Sequence, residues 1–163
     1  MLAFAPMTYF HEEQRLRDSW FWLVFFIVPV IVVPSLLVAA PGKALLAVAL
    51  VLGIMVLVSL LVWFALLETT VTSDAVIVAF HEVWPTRRIK LDDIEAFRPK
   101  RYTMWDSGGW GVHLGFAGMT YNASGNEGMH FDLRDGRHVL IGTQRPTEFG
   151  AALDRAMAAR RTT

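Results

Sequence analysis

Two apolar runs, Trp20–Ala40 and Ala44–Leu67, are separated only by Pro41-Gly42-Lys43. Lys43 is the sole charged residue between Asp18 and Glu68. An α-helix rises about 1.5 Å per residue, so about 20 apolar residues cross the roughly 30 Å hydrocarbon core of a bilayer. Both runs reach that length. The connector is too short for a domain, so the pair is predicted to return on itself as a transmembrane helical hairpin over 19–67. That leaves an N-terminal segment, 1–18, and a larger domain, 68–163, on the same side of the membrane.

The hydrophobic excess belongs to these runs: 54% of the 163 residues are hydrophobic and the mean hydropathy is +0.40. The formal net charge is zero, which provides no field for nucleic acid. The absence of cysteine excludes disulfides, thiolate zinc sites, iron–sulfur clusters and cysteine catalysis. Val38-Ala39-Ala40 loosely fits a signal-peptide cleavage site, but the run before it exceeds an h-region of roughly 7–15 residues.

Within the hairpin, Trp20, Trp22 and Trp63 are the expected membrane-interface anchors. Pro29 and Pro34 are expected to bend the first span. Ala44, Ala47, Ala49, Gly53 and Ser59 of the second are small enough for some to face the first. Neither span carries an ionisable side chain, which argues against a channel or pump built from the hairpin alone. Arg15, Arg17, Arg87, Arg88 and Lys90 flank the spans against Lys43 in the connector, so the positive-inside rule puts both termini in the cytoplasm. Residues 1–18 read as a polar lead whose Leu2, Phe4, Tyr9 and Phe10 lie at the headgroup level or fray.

From Glu68 the pattern turns to period two. Strands are predicted over 68–72, 75–80, 85–90 and 96–104, the last at an edge or bulge because of Pro99. Leu91-Asp92-Asp93-Ile94 is a short turn. Strands 110–116 and 119–123 pair across Ala117-Gly118, and strands 128–134 and 137–141 flank Asp135-Gly136, the signature of a type I′ hairpin. Pro146–Arg161 is predicted helical, with Phe149, Leu153 and Met157 on one face and Thr143 or Thr147 as cap. The expected fold is therefore α+β: about seven short strands in a bent antiparallel sandwich or barrel, closed by a C-terminal capping helix.

Several short segments resemble a group of small bacterial membrane proteins with a pleckstrin-homology-like (bacterial PH) domain. They are Glu12-Glu13-Gln14-Arg15 with Trp20, Ile89–Ile94, Gly108-Gly109-Trp110-Gly111, Tyr121-Asn122-Ala123-Ser124-Gly125, and Asp135-Gly136-Arg137 followed by Ile141-Gly142-Thr143-Gln144-Arg145-Pro146. They occur in the expected order over nearly the whole chain, with His113 where relatives often carry a basic residue. The resemblance implies a PH-like module anchored in the bacterial inner membrane, and no established reaction.

The candidate contact residues for a lipid or partner are Arg87, Arg88, Lys90, Arg98, Lys100 and Arg101, with Trp105 and Trp110. On the cytoplasmic side such cations face an anionic leaflet; as edge residues they equally discourage sheet-to-sheet pairing. His81, His113, His130 and His138 lack a close helical spacing such as His-Glu-x-x-His, so no metal is expected, although His130 and His138 can approach across the Asp135-Gly136 hairpin. Ser59, Ser73, Ser107 and Ser124 lack a nucleophile elbow. Gly108-Gly109-Trp110-Gly111 lacks the strand–loop–helix setting and Lys-Ser/Thr of a phosphate loop. No cofactor or catalytic set follows. The expected function is non-enzymatic: protein–protein or self association at the cytoplasmic face of the inner membrane. Binding of an anionic lipid headgroup through Arg87–Arg101 is the first alternative, a metal-dependent hydrolase the second.

Overall fold

The computed structural model describes residues 7–18, 22–39, 42, 44–81, 84–103, 111–115 and 118–161. Nine strands and three α-helices are described: β1 Thr8–Arg15, α1 Trp22–Ala39, α2 Ala44–Phe64, β2 Leu66–Thr72, β3 Ala75–His81, β4 Trp84–Lys90, β5 Ile94–Arg101, β6 Gly111–Gly115, β7 Gly118–Asn122, β8 Glu127–Leu133, β9 His138–Gly142 and α3 Pro146–Arg161. The chain is α+β, with two sheets and a C-terminal helix.

The largest departure from expectation is β1. Residues 8–15 are not a frayed end, because they pair antiparallel with β2, Arg15 opposite Leu66 and Thr8 opposite Thr72, and Phe10 is buried; Leu2 and Phe4 lie outside the described residues. One sheet runs β1-β2-β3-β4. The β-domain is thus assembled from two pieces of chain, with both apolar helices inserted between neighbouring strands. The helices contact each other, and the Leu16 N–H donates to the Ala65 carbonyl at 3.2 Å where they meet the sheet. A single residue, Ala65, separates α2 from β2, and a 3-10 turn over Leu16–Asp18 follows β1 on the way to α1.

The second helix stops at Phe64, short of the apolar run's end. Leu67 is fully buried as a core residue of β2, so the last two leucines of the run serve the sheet. The less exposed stripe of α2, Ala47, Val51, Met55, Ser59 and Val62, recurs every three or four residues. Ala47 and Ser59 lie on it; Ala49 and Gly53 do not. Leu45–Phe64 is long and apolar enough to cross a membrane, and almost none of it is buried; the described apolar part of α1, Ile27–Val38, is shorter. Helix α1 continues through Pro29 and Pro34.

The second sheet has the order β5-β8-β9-β7-β6. It is mixed rather than wholly antiparallel, because β7 and β9 run parallel. Strand β5 is an edge, as Pro99 requires. The Asp135-Gly136 hairpin forms, but as a three-residue turn. The Gly136 N–H donates to the Leu133 carbonyl and the Leu133 N–H to the Arg137 carbonyl, both at 2.9 Å. Gly136, at φ +79°, takes the left-handed position after the turn. Helix α3 spans the predicted residues and buries Phe149, Ala152, Leu153 and Ala156, an i, i+3, i+4, i+7 stripe; Met157 is partly buried. Phe149 stacks on Phe10 of β1, centroids 4.9 Å apart, and tilts against Phe131 of β8 at 5.9 Å. The core lies between the sheets and this helix, so β1 is built into it.

Candidate functional site

The inward positions of β1 are Phe10, Glu12 and Gln14. Only the first is apolar. Glu12 and Gln14 are nearly buried, 5% and 3% exposed, and burial without partners would cost several kcal/mol. Partners are present. The Glu12 carboxylate accepts from the Thr143 hydroxyl and, at 2.8 Å, from the Gln144 N–H. The Gln14 amide donates to the Gly142 carbonyl at 2.9 Å. Gln144 donates to Ser124 Oγ at 2.9 Å, and the Ser124 hydroxyl points to Gln14 Oε1 at 3.5 Å. Arg145 donates to the His11 carbonyl at 2.5 Å and lies over the Phe10 ring at 4.9 Å. Thr143 caps the turn rather than the helix, accepting from the Arg145 N–H at 3.0 Å. A buried polar node therefore fastens the strand before the helices to the turn that opens α3. It unites three of the short segments singled out in the sequence, 12–15, 121–125 and 141–146. At the helix junction, the Arg17 guanidinium lies 4.9 Å over the Trp63 ring.

The six basic candidates fall on two sheet edges, Arg87, Arg88 and Lys90 on β4 and Arg98, Lys100 and Arg101 on β5. Three are matched by carboxylates of their own sheets: Arg88 by Asp74, Arg98 by Asp132 at 2.6 Å and Arg101 by Glu127 at 2.9 Å. The Thr72 hydroxyl hydrogen bond, with Arg88 beside it, holds the Asp74 carboxyl below its usual range. Among the described residues, Arg87, Lys90 and Lys100 have no carboxylate partner. Trp20, Trp105 and Trp110 lie outside the described residues; Trp22 is the first residue of α1; Trp63 is half exposed.

The histidines divide. His81 pairs with Glu68 at 2.9 Å on the first sheet. His113 sits on β6, partly buried, and burial pushes its imidazole below the ordinary range. His130 and His138 do meet, and Asp132 lies between them. Burial pushes His130 down, partly opposed by Asp132. Burial pushes the Asp132 carboxyl up, but hydrogen bonds from His138 and Arg98 outweigh it and hold it below the usual range. Asp132 stands two residues from His130 and so on the same strand face, but only the β8–β9 register sets it opposite His138.

Beside the node, Tyr102 crosses two glycines, one of them Gly142, whose carbonyl accepts from Gln14. A Cβ at Gly128 would stand 3.0 Å from the Tyr102 ring, and one at Gly142 would stand 3.0 Å from its hydroxyl. Burial raises the phenol well above its ordinary range.

Compared with known proteins, the chain matches no family model, no curated protein and no solved structure. Function has to be read from the geometry.

Proposed function

We propose that this is a two-pass protein of the bacterial inner membrane, both termini cytoplasmic, whose pleckstrin-homology-like body acts by contact rather than by chemistry. It binds a membrane-protein partner or a second copy of itself. The observation that carries the reading is the pairing of Arg15 with Leu66 at the feet of the two helices. A β-body whose two paired strands lead into the anchor, with Ala65 alone between α2 and β2, is held at a fixed height and orientation against the bilayer. That suits a docking module and gives a tethered, freely swinging domain no role. The exposed apolar surface of α2 and the interfacial Trp63 fit residence in lipid. Trp84 on edge strand β4 and Leu114 on edge strand β6 are 47% and 81% exposed, and large apolar side chains on open edges favour protein contact.

A lipid-headgroup role for Arg87–Arg101 is less well supported, since half of those cations already have carboxylate partners. Extraction of the full chain in mild detergent, followed by size and mass analysis, tests the proposal. A stoichiometric partner or an oligomer is expected. A monomer that brings nothing with it overturns the reading.

A further inference from the structure

The β8–β9 hairpin carries a cluster that contact at the membrane does not use. His130 and Asp132 share one face of β8, and the register sets His138 of β9 directly opposite Asp132. His130 Nε2 lies 3.0 Å and His138 Nδ1 2.7 Å from the same oxygen, Asp132 Oδ1. One ligand atom from each residue falls within 4.8 Å of the other two. The imidazole rings are 5.6 Å apart and inclined by 23°.

We propose that His130, Asp132 and His138 form a binding site for a divalent first-row transition ion, with zinc the best match. Two imidazole nitrogens and one carboxylate oxygen are donors for that class, whereas calcium and magnesium take oxygen ligands. Metal–ligand bonds of about 2.0–2.2 Å put tetrahedral neighbours roughly 3.3 Å apart. The two nitrogen–oxygen spacings, 3.0 and 2.7 Å, need to open by roughly 0.3 and 0.6 Å. His138, with 51% of its side chain exposed, has that freedom and leaves the remaining coordination position to water. His130, at 6%, is fixed by its surroundings and supplies a preplaced ligand.

Arg98 donates to the other carboxylate oxygen, Asp132 Oδ2, at 2.6 Å. That contact orients the carboxylate and keeps Oδ1 turned to the imidazoles, the usual role of a group behind a metal ligand. The Arg98 charge opposes any cation, which weights the site toward an ion held by imidazole nitrogen rather than by charge alone. With no ion, the same atoms make a His–Asp–His hydrogen-bonded trio, so ion uptake separates the two descriptions. The site is independent of the contact function, and its failure would leave that reading standing.

The test uses the full chain in detergent, free of any histidine tag, stripped with chelator and titrated with Zn²⁺ and with Co²⁺. One ion per chain is expected, with a visible Co²⁺ spectrum of mixed nitrogen and oxygen coordination and a thermal midpoint that rises with Zn²⁺. His138→Gln changes an exposed side chain and keeps an amide able to donate to Asp132, so the metal-free variant should still melt cooperatively while its affinity falls at least tenfold. Asp132→Asn should lose affinity likewise. No saturable uptake by the unaltered chain, or undiminished affinity in either variant, overturns the site.

Discussion

The Glu12 carboxylate accepts the Gln144 N–H at 2.8 Å, joining the strand that precedes the helices to the turn that precedes the last helix. The Glu12 side chain is buried and this contact partly so. Substitution Glu12→Ala strands the Thr143 hydroxyl and the Gln144 N–H. The loss of stability should be about 1–3 kcal/mol, read as a lower denaturation midpoint of the full chain in detergent. Glu12→Gln, which keeps an acceptor oxygen, should lose less. Equal midpoints for Glu12→Ala and the unaltered chain would show that the node carries no stability.

Because Arg15 and Leu66 are cross-strand neighbours, the helices can be replaced by a short turn such as Asn-Gly. The resulting chain should be water-soluble and fold, with the far-UV signature of a β-rich protein and a cooperative melt. The fragment 68–163 should not. It lacks β1, which exposes the face of Phe149 that stacks on Phe10 and leaves the Thr143–Arg145 turn without Glu12. A cooperative melt from 68–163 would contradict the placement of β1.

Gly118 and Gly136 both have positive φ, +87° and +79°, but only the first is crowded. A Cβ at Gly118 would stand 2.1 Å from the His138 carbonyl oxygen, whereas one at Gly136 meets nothing within 4 Å. Gly136→Ala should cost only the backbone strain, roughly 1 kcal/mol. Gly118→Ala should cost clearly more, because β7 must move away from β9. Comparing the two melting midpoints decides it.

Burial pushes the His113 imidazole below its ordinary value of 6.5. The unfolded chain therefore binds a proton at higher pH than the folded one does. Stability is fully present above pH 6.5 and declines as pH falls through that value toward the lower folded pKa. His130 adds in the same direction in the metal-free protein. Melting midpoints of metal-free protein should fall between about pH 7.5 and about pH 5.5, and His113→Leu should flatten the slope. An unchanged slope in that variant would count against a neutral, partly buried His113.

Ile54 is 60% exposed at the middle of α2. A lysine there should cost about 2.5–3.5 kcal/mol of insertion energy and shift the chain out of the carbonate-resistant membrane fraction. A lysine at the helix end, in place of Trp63, should cost far less because it can reach the interface. Equal partitioning of both variants would contradict α2 as a span.

Much of the second half was legible. Helix α3 begins and ends where its pattern and Pro146 indicate, and each strand from β2 to β9 lies within a few residues of its period-two stretch. Strand β1 was not legible, for a physical reason. Its inward residues after Phe10 are Glu12 and Gln14, so a buried strand shows no apolar alternation. Their burial is tolerable only because Ser124, Gly142, Thr143 and Gln144 supply partners, and no local pattern announces partners more than a hundred residues away. The metal-ligand trio was half legible: the hairpin and its two histidines could be seen, while Asp132 needed the strand face and the register to be counted together.

By itself the sequence determined where the apolar helices run, where the turns fall and which face of the last helix is apolar, because these depend on composition and local periodicity. Only the tertiary structure decided that the segment before the helices is a strand of the same body, that polar side chains fill part of its core, and which charges meet across strands. Those outcomes depend on pairing between distant pieces of chain, and the free energy of a buried polar group is set by what stands opposite it.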